Sequence, residues 1–210
     1  MINASMPNLW VYHASLVEKL LGPGNRLVFW LSGCDFHCPG CIDPAQWDQA
    51  VGYEIPVDDL AGMIAEATDD IDGVTFSGGE PLRQAEALLA LLETLPKKLD
   101  KMLFTGYTED ELSVVQKQAY ECFDIAVAGR FVQELAGDFL WRGSSNKIIV
   151  SPSGKYPSEQ ISEWMSAPSA GISIKLDGER MFTYGVPKKG ALDHILRQLE
   201  EKGIRVKEVH

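Results

Sequence analysis

Four apolar runs in this chain each break abruptly into a glycine-bearing turn, and that recurrence constrains the fold more than any single motif. Residues 26–32 run into Gly33, residues 73–77 into Gly78-Gly79, residues 101–105 into Gly106, and residues 123–127 into Ala128-Gly129. Each run is short, continuous and rich in β-prone residues, which predicts a strand buried on both faces. Helical periodicity fills the intervals. It is seen over residues 58–68, with Leu60, Met63, Ile64 and Ala67 on one face, and over residues 81–95, with Pro81 in its first turn and Pro96 as its stop. Thr108 and Glu111 form a capping-box pattern that predicts a further helix start. Residues 146–150 are another strand candidate.

Strands alternating with helices at this spacing imply a mostly parallel sheet of right-handed βαβ units. In such a sheet the turns after the strands gather at one rim, where ligands bind. Residues 151–158 are rich in Ser, Pro and Gly and mark a boundary. Past it, residues 171–176 and 180–184 flank Asp177-Gly178, a hairpin signal. An amphipathic helix over 191–202, a C-cap at Gly203 and a last short strand over 204–209 complete the expected pattern. The chain therefore divides into a core, residues 1–150, and a C-terminal extension, residues 151–210, of β-hairpin plus helix.

The first of the four turns carries Cys34, Cys38 and Cys41, spaced C-x3-C-x2-C. Three of the four cysteines within eight residues do not resemble a disulfide framework, and metal ligation in a reducing compartment is the better reading. Three thiolates can hold three irons of a 4Fe–4S cluster and leave the fourth open to a small molecule, whereas electron-transfer clusters ordinarily take four cysteines. A structural zinc site that recruits His37 or Cys122 fits the ligand types, but zinc motifs generally come as two separated pairs. Cys122, between Glu121 and Phe123, reads as a small buried hydrophobe.

A net charge of −11 argues against non-specific nucleic-acid binding. No apolar run approaches the roughly 18 residues that span a bilayer, and no secretory leader is visible, which together predict a cytoplasmic protein without membrane contact.

With Ser77-Gly78-Gly79-Glu80-Pro81 following the cysteine triplet, the chain resembles the radical S-adenosylmethionine (SAM) enzymes. Gly22-Pro23-Gly24-Asn25-Arg26, the Pro39-Gly40 pair between the second and third cysteines, Thr105-Gly106-Tyr107, residues 129–133 and residues 141–146 resemble, in order, the activating enzymes of anaerobic ribonucleotide reductase and related glycyl-radical enzymes. The resemblance spans roughly residues 20–150. It implies an incomplete β/α barrel and a 4Fe–4S cluster held by Cys34, Cys38 and Cys41. It also implies SAM bound at the open iron, with Gly78, Gly79, Glu80, Thr105, Arg142 and Asn146 as its candidate binding residues. The implied activity is reductive cleavage of SAM to a 5′-deoxyadenosyl radical that makes a glycyl radical on a large partner protein, with flavodoxin or ferredoxin as electron donor. One departure stands out: the branch usually carries an acidic residue after its fourth strand, where this chain has Ala128. That change and the extension also suit a stand-alone radical SAM enzyme acting on a small molecule or peptide. Arg83, Arg130 and Lys147 fall near strand ends as further cationic candidates.

Overall fold

The computed structural model describes residues 7–177, 180–188, 190–204 and 206. Its centre is a seven-stranded sheet in the order β3-β1-β2-β4-β5-β6-β7. These strands are β1 (Asn8–Glu18), β2 (Asn25–Leu31), β3 (Tyr53–Pro56), β4 (Gly73–Gly78), β5 (Asp100–Thr105), β6 (Ile125–Ala128) and β7 (Ile148–Val150). β2, β4, β5 and β6 pair in parallel, as the alternating pattern predicts. Antiparallel pairs β1–β2, β1–β3 and β6–β7 extend this parallel centre on both sides. The fold is thus mixed α/β around a mostly parallel sheet.

Side chains alternate between the two faces, as the pleat requires. Leu27, Phe29 and Leu31 of β2, Phe76 of β4 and Leu103 of β5 join one buried cluster. It is covered by α1 (Val57–Ala67), α2 (Ala85–Thr94) and α3 (Val114–Glu121). Val28, Met102, Phe104, Ile125 and Val127 form a second cluster on the other face with Trp141, Ile149 and Tyr184. α4 (Ser158–Ser166) packs Ile161, Trp164 and Met165 against this second cluster. A two-stranded sheet of β8 (Ile172–Asp177) and β9 (Arg180–Gly185) adds Phe182 and Tyr184. His13 on β1 stacks on Phe182, and its Nε2 lies 3.1 Å from the Tyr184 hydroxyl. The last helix is α5 (Ala191–Glu201).

Several expectations shift. The capping box at Thr108 closes only a single 3-10 turn, Glu109–Glu111, and α3 starts afterwards on a second box formed by Ser113 and Gln116. The expected helix over 81–95 opens as a 3-10 turn, Pro81–Gln84, before becoming α-helical. Ile204 and Val206 lie outside any strand, the rest of the expected strand over 204–209 falls outside the described residues, and so does Gly178 of the expected hairpin turn.

The amino ends of the parallel strands are tied by a buried ionic network. Arg26, 1% exposed, pairs with Asp100 at 3.0 Å and donates to Thr75 Oγ1 and to the carbonyls of Val74 and Asp100. Lys155 bridges Asp100 and Asp124, and the Tyr156 hydroxyl donates to Asp100 at 2.8 Å. Burial pulls the Arg26 pKa down and the Asp100 charge pulls it back up. Gly73 leaves room for this cation: a Cβ there would stand 2.7 Å from an Arg26 guanidinium nitrogen. The carboxyl ends of the same strands, on the opposite rim, carry the four turns.

Candidate metal centre

β2 delivers the cysteine loop to that carboxyl rim, and a ladder of backbone bonds fixes it there. Gly33 N–H donates to Gln46 O (2.8 Å), Cys34 N–H to Trp47 O (3.0 Å) and Glu80 N–H to Gly33 O (2.9 Å). Gly79 N–H donates to Leu31 O at 2.7 Å. The loop is therefore clamped between the segment that follows it and the Gly78-Gly79 turn. Gly78 adopts φ +104°, a left-handed region that disfavours a side chain. At Gly79 the reason is contact: a Cβ would stand 2.5 Å from Gly33 O.

Cys34 is buried, whereas Cys38 and Cys41 are partly exposed. Burial pushes the Cys34 thiol up in pKa, while the backbone N–H groups of Phe36 and His37 pull it down. Cys41 follows the same pattern, with the Asp43 N–H and the Trp47 side chain aimed at its sulfur. The charge of Cys38 adds to both. N–H donors already directed at desolvated sulfurs suit thiolates whose remaining charge a metal group neutralises. No three His, Cys, Asp or Glu side chains converge on a single-ion cage among the described residues. Three cysteines on one clamped loop, two of them with N–H donors at their sulfurs, are a donor set that a four-iron cluster can take on separate irons. Cys122 lies elsewhere, at the end of α3, with its sulfur donating to Gln118 O.

The loop is braced from two sides. Phe36 stacks edge-on against Tyr107 at 4.7 Å and lies under the Arg130 guanidinium at 4.4 Å. His37 adopts φ +46°, sets its Nδ1 3.1 Å from Asp35 O and meets the Trp47 ring edge-on. These contacts give His37 a role in shaping the loop. Gly40 has φ +74°, and a Cβ on it would stand 3.0 Å from the Gln133 side-chain amide.

Glu80 is 2% exposed and committed at three points. Its Oε1 accepts from Leu82 N–H (2.9 Å) and Thr105 Oγ1 (2.8 Å), and its Oε2 accepts from Gly106 N–H (2.7 Å). Burial nevertheless raises its pKa to about 7, against the pull of those bonds and of Lys147. Glu80 and Thr105 thus lock two turns of the rim together.

The remaining sequence candidates sit differently. Arg142 is buried, donates to Lys147 O (3.3 Å) and Met165 O (2.6 Å), and lies over the Phe139 ring. Asn146 Nδ2 donates to Arg130 O at 2.9 Å. Both hold the backbone of the 130–147 segment. Arg83 pairs with Asp35 at 3.4 Å, and Arg130 with Glu111 at 2.7 Å. Gln46 and Lys147 complete the rim. Gln46 is 5% exposed, with Nε2 on Asp43 at 2.6 Å and Oε1 without a partner among the described residues, beside Gly78. The half-buried Lys147 has its pKa lowered by partial burial, while the charges of Glu80, Cys38 and Cys41 pull it back up.

Residues 20–150 match the family model described as a 4Fe-4S single cluster domain. The chain belongs to this family. Within it, the chain is 35% identical to the anaerobic ribonucleoside-triphosphate reductase-activating protein of Salmonella typhimurium, over 63% of this chain and 92% of that protein. It is 32% identical to the protein of the same name from Escherichia coli K12, with the same coverage. The phage T4 protein of that name is 26% identical, over 62% of this chain and 86% of that one. Among solved structures, QueE from Escherichia coli aligns with a TM-score of 0.41 at 14% identity, over 58% of this chain and 70% of that chain, a likeness too distant to argue from. Membership of the 4Fe-4S single cluster family makes a 4Fe–4S cluster the metal cofactor of this chain.

Proposed function

We propose that this chain is a radical SAM activating enzyme that generates a glycyl radical on an anaerobic ribonucleotide reductase. The observation that carries the reading is the meeting, at one rim of the sheet, of the Cys34-Cys38-Cys41 loop with the Gly78-Gly79-Glu80 turn, in a chain whose relatives are named as activating proteins of that reductase. Cys34, Cys38 and Cys41 would hold the cluster, which would supply an open iron and one electron for the reductive cleavage of SAM.

The chain's own residues then have defined tasks. The Gly78-Gly79 turn brings backbone close to a ligand's amino group where a side chain would not fit. Glu80 keeps that turn in register with Thr105 and Gly106 and places a negative charge beside it. Arg142 and Asn146 hold the 130–147 segment that walls the site. The side chains of Trp141, Trp164 and Tyr184 exclude water from the neighbouring sheet face. In this reading residues 1–150 form an incomplete β/α barrel that does the chemistry, and residues 151–210 cover its second face. A reduced flavodoxin or ferredoxin in the cytoplasm is the electron source. No helix among the described residues is long and apolar enough to cross a membrane.

Anaerobic mixing of the reduced, iron-loaded chain with SAM and an anaerobic ribonucleotide reductase should give a glycyl-radical doublet by electron paramagnetic resonance. SAM cleavage without a doublet on any such reductase would instead point to a stand-alone enzyme with its own small-molecule or peptide substrate.

A further inference from the structure

Lys147 sits one residue before β7, and the first residue of β7, Ile148, pairs with Ala128 at the carboxyl end of β6. The Lys147 Cα lies 3.6 Å from where a Cβ on Gly129 would stand. The segment after β6 is in turn bound to the cysteine loop. Arg130 covers Phe36, Gly40 abuts Gln133, and Asn146 holds the Arg130 carbonyl. The turn that carries Lys147 and the loop that carries Cys38 and Cys41 are therefore neighbours across the rim.

The charged groups that act on the Lys147 ammonium are Glu80, Cys38 and Cys41. No hydrogen bond or ion pair to its Nζ is formed among the described residues, whereas Arg83 and Arg130 each have a carboxylate partner. Ala128 supplies no carboxylate from the end of β6, and Glu80 spends its oxygens on Leu82, Thr105 and Gly106. A cation without a close counter-ion, whose charge interactions are with Glu80 first and then with Cys38 and Cys41, which lose their protons on binding iron, also acts on the charge of whatever those cysteines hold.

We propose that Lys147 is the fixed positive charge that raises the reduction potential of the cluster held by Cys34, Cys38 and Cys41. Adding one electron makes the cluster and its thiolates more negative, and a nearby cation favours that form over the oxidised one. The inference rests on the cluster reading above and assigns this residue a positioning role in the electron-transfer step. In the absence of SAM, the electron from a low-potential one-electron donor stays on the cluster, which is the step the potential reports.

The test is a potentiometric titration of the full-length chain, loaded with iron and sulfide anaerobically and followed by the electron paramagnetic resonance signal of the reduced cluster. Wild type, K147Q and K147R are compared after their iron content has been measured. At the potential that half-reduces the wild type, the ratio of reduced to oxidised clusters should be about tenfold lower in K147Q, a shift of ~59 mV for one electron. K147R should stay close to wild type. Full iron loading of K147Q at an unchanged potential would overturn the proposal, and so would a K147R potential as low as that of K147Q, because the stem and not the charge would then be responsible. Should K147Q fail to load, normal loading of K147R supports the cation, and failure of both variants counts against it. A wild-type chain that takes up no cluster would defeat the cluster reading itself, a result distinct from any difference among the variants.

Discussion

Thr105 donates a 2.8 Å hydrogen bond to Glu80, joining the turns that follow two adjacent parallel strands. The bond places a buried carboxylate between the Gly78-Gly79 turn and the Gly106 amide, and that placement makes the metal-free chain sensitive to pH. Glu80 has a folded pKa of about 7, above the ordinary 4.5, because burial disfavours its charged form. A raised acid contributes stability below its unfolded pKa and loses it as pH rises through the folded value. Lys147 is lowered from 10.5 to about 8, also by burial, so its contribution is present above 10.5 and is lost as pH falls through 8. Stability of the metal-free chain should therefore pass through a minimum between about pH 7 and 8. Urea unfolding from pH 5 to 10 measures it, and E80Q should flatten the acidic limb, whose full height is on the order of 3 kcal/mol at 1.36 kcal/mol per pKa unit. An unchanged acidic limb in E80Q would show that Glu80 is not its source.

Replacement of Cys34, Cys38 or Cys41 by Ala should reduce bound iron from about four per chain to a small residue and bleach the brown colour. C122A should keep both, because that sulfur bonds Gln118 O at the end of α3. Iron assay and visible absorption of the four variants, all purified anaerobically, decide the point.

Gly40 combines a positive φ with close contact to Gln133. G40A should strain the loop by about 1–2 kcal/mol, the usual cost of a left-handed L-residue, and slow iron uptake several-fold. Trimming the neighbour in the double variant G40A/Q133A removes the steric part and leaves the backbone part, so recovery should be partial. Full recovery would mean that the backbone angle at residue 40 costs nothing.

Arg26 and Asp100 are both almost fully buried. Removing Arg26 leaves the buried Asp100 with only the half-exposed Lys155 as its counter-ion, so R26M should lose about 3 kcal/mol in urea unfolding. The network lies at the amino ends of the strands, on the opposite rim from the cysteines. Iron content per folded molecule should consequently match wild type at low temperature, and a parallel loss of iron would contradict that separation.

The parallel centre of the sheet was legible because β2, β4, β5 and β6 are short apolar runs that end in glycine turns. Strand β1 was not, since its residues are buried unevenly and its register shifts between Val11 and His13, which obscures a period of two. Helix α4 escaped notice for a related reason: it is only nine residues long and fully buries none of them, presenting its aromatic and apolar side chains to a cluster assembled from distant segments. The cysteine triplet and the Gly-Gly-Glu turn stood out as local spacings. Lys147 stood out only as a charge near a strand end, because its surroundings depend on pairing between β6 and β7 and on a loop a hundred residues earlier. Arg142 and Asn146 illustrate the same limit: residues 141–146 stood out by resemblance, but not that the side chains of Arg142 and Asn146 turn toward backbone carbonyls.

The ionic knot of Arg26, Asp100, Asp124, Lys155 and Tyr156 also bears on the life history of the molecule. It draws on no group of the iron-binding rim and joins residues of the segment after β7 to the strand starts, so loss of iron from that rim would leave these ties in place.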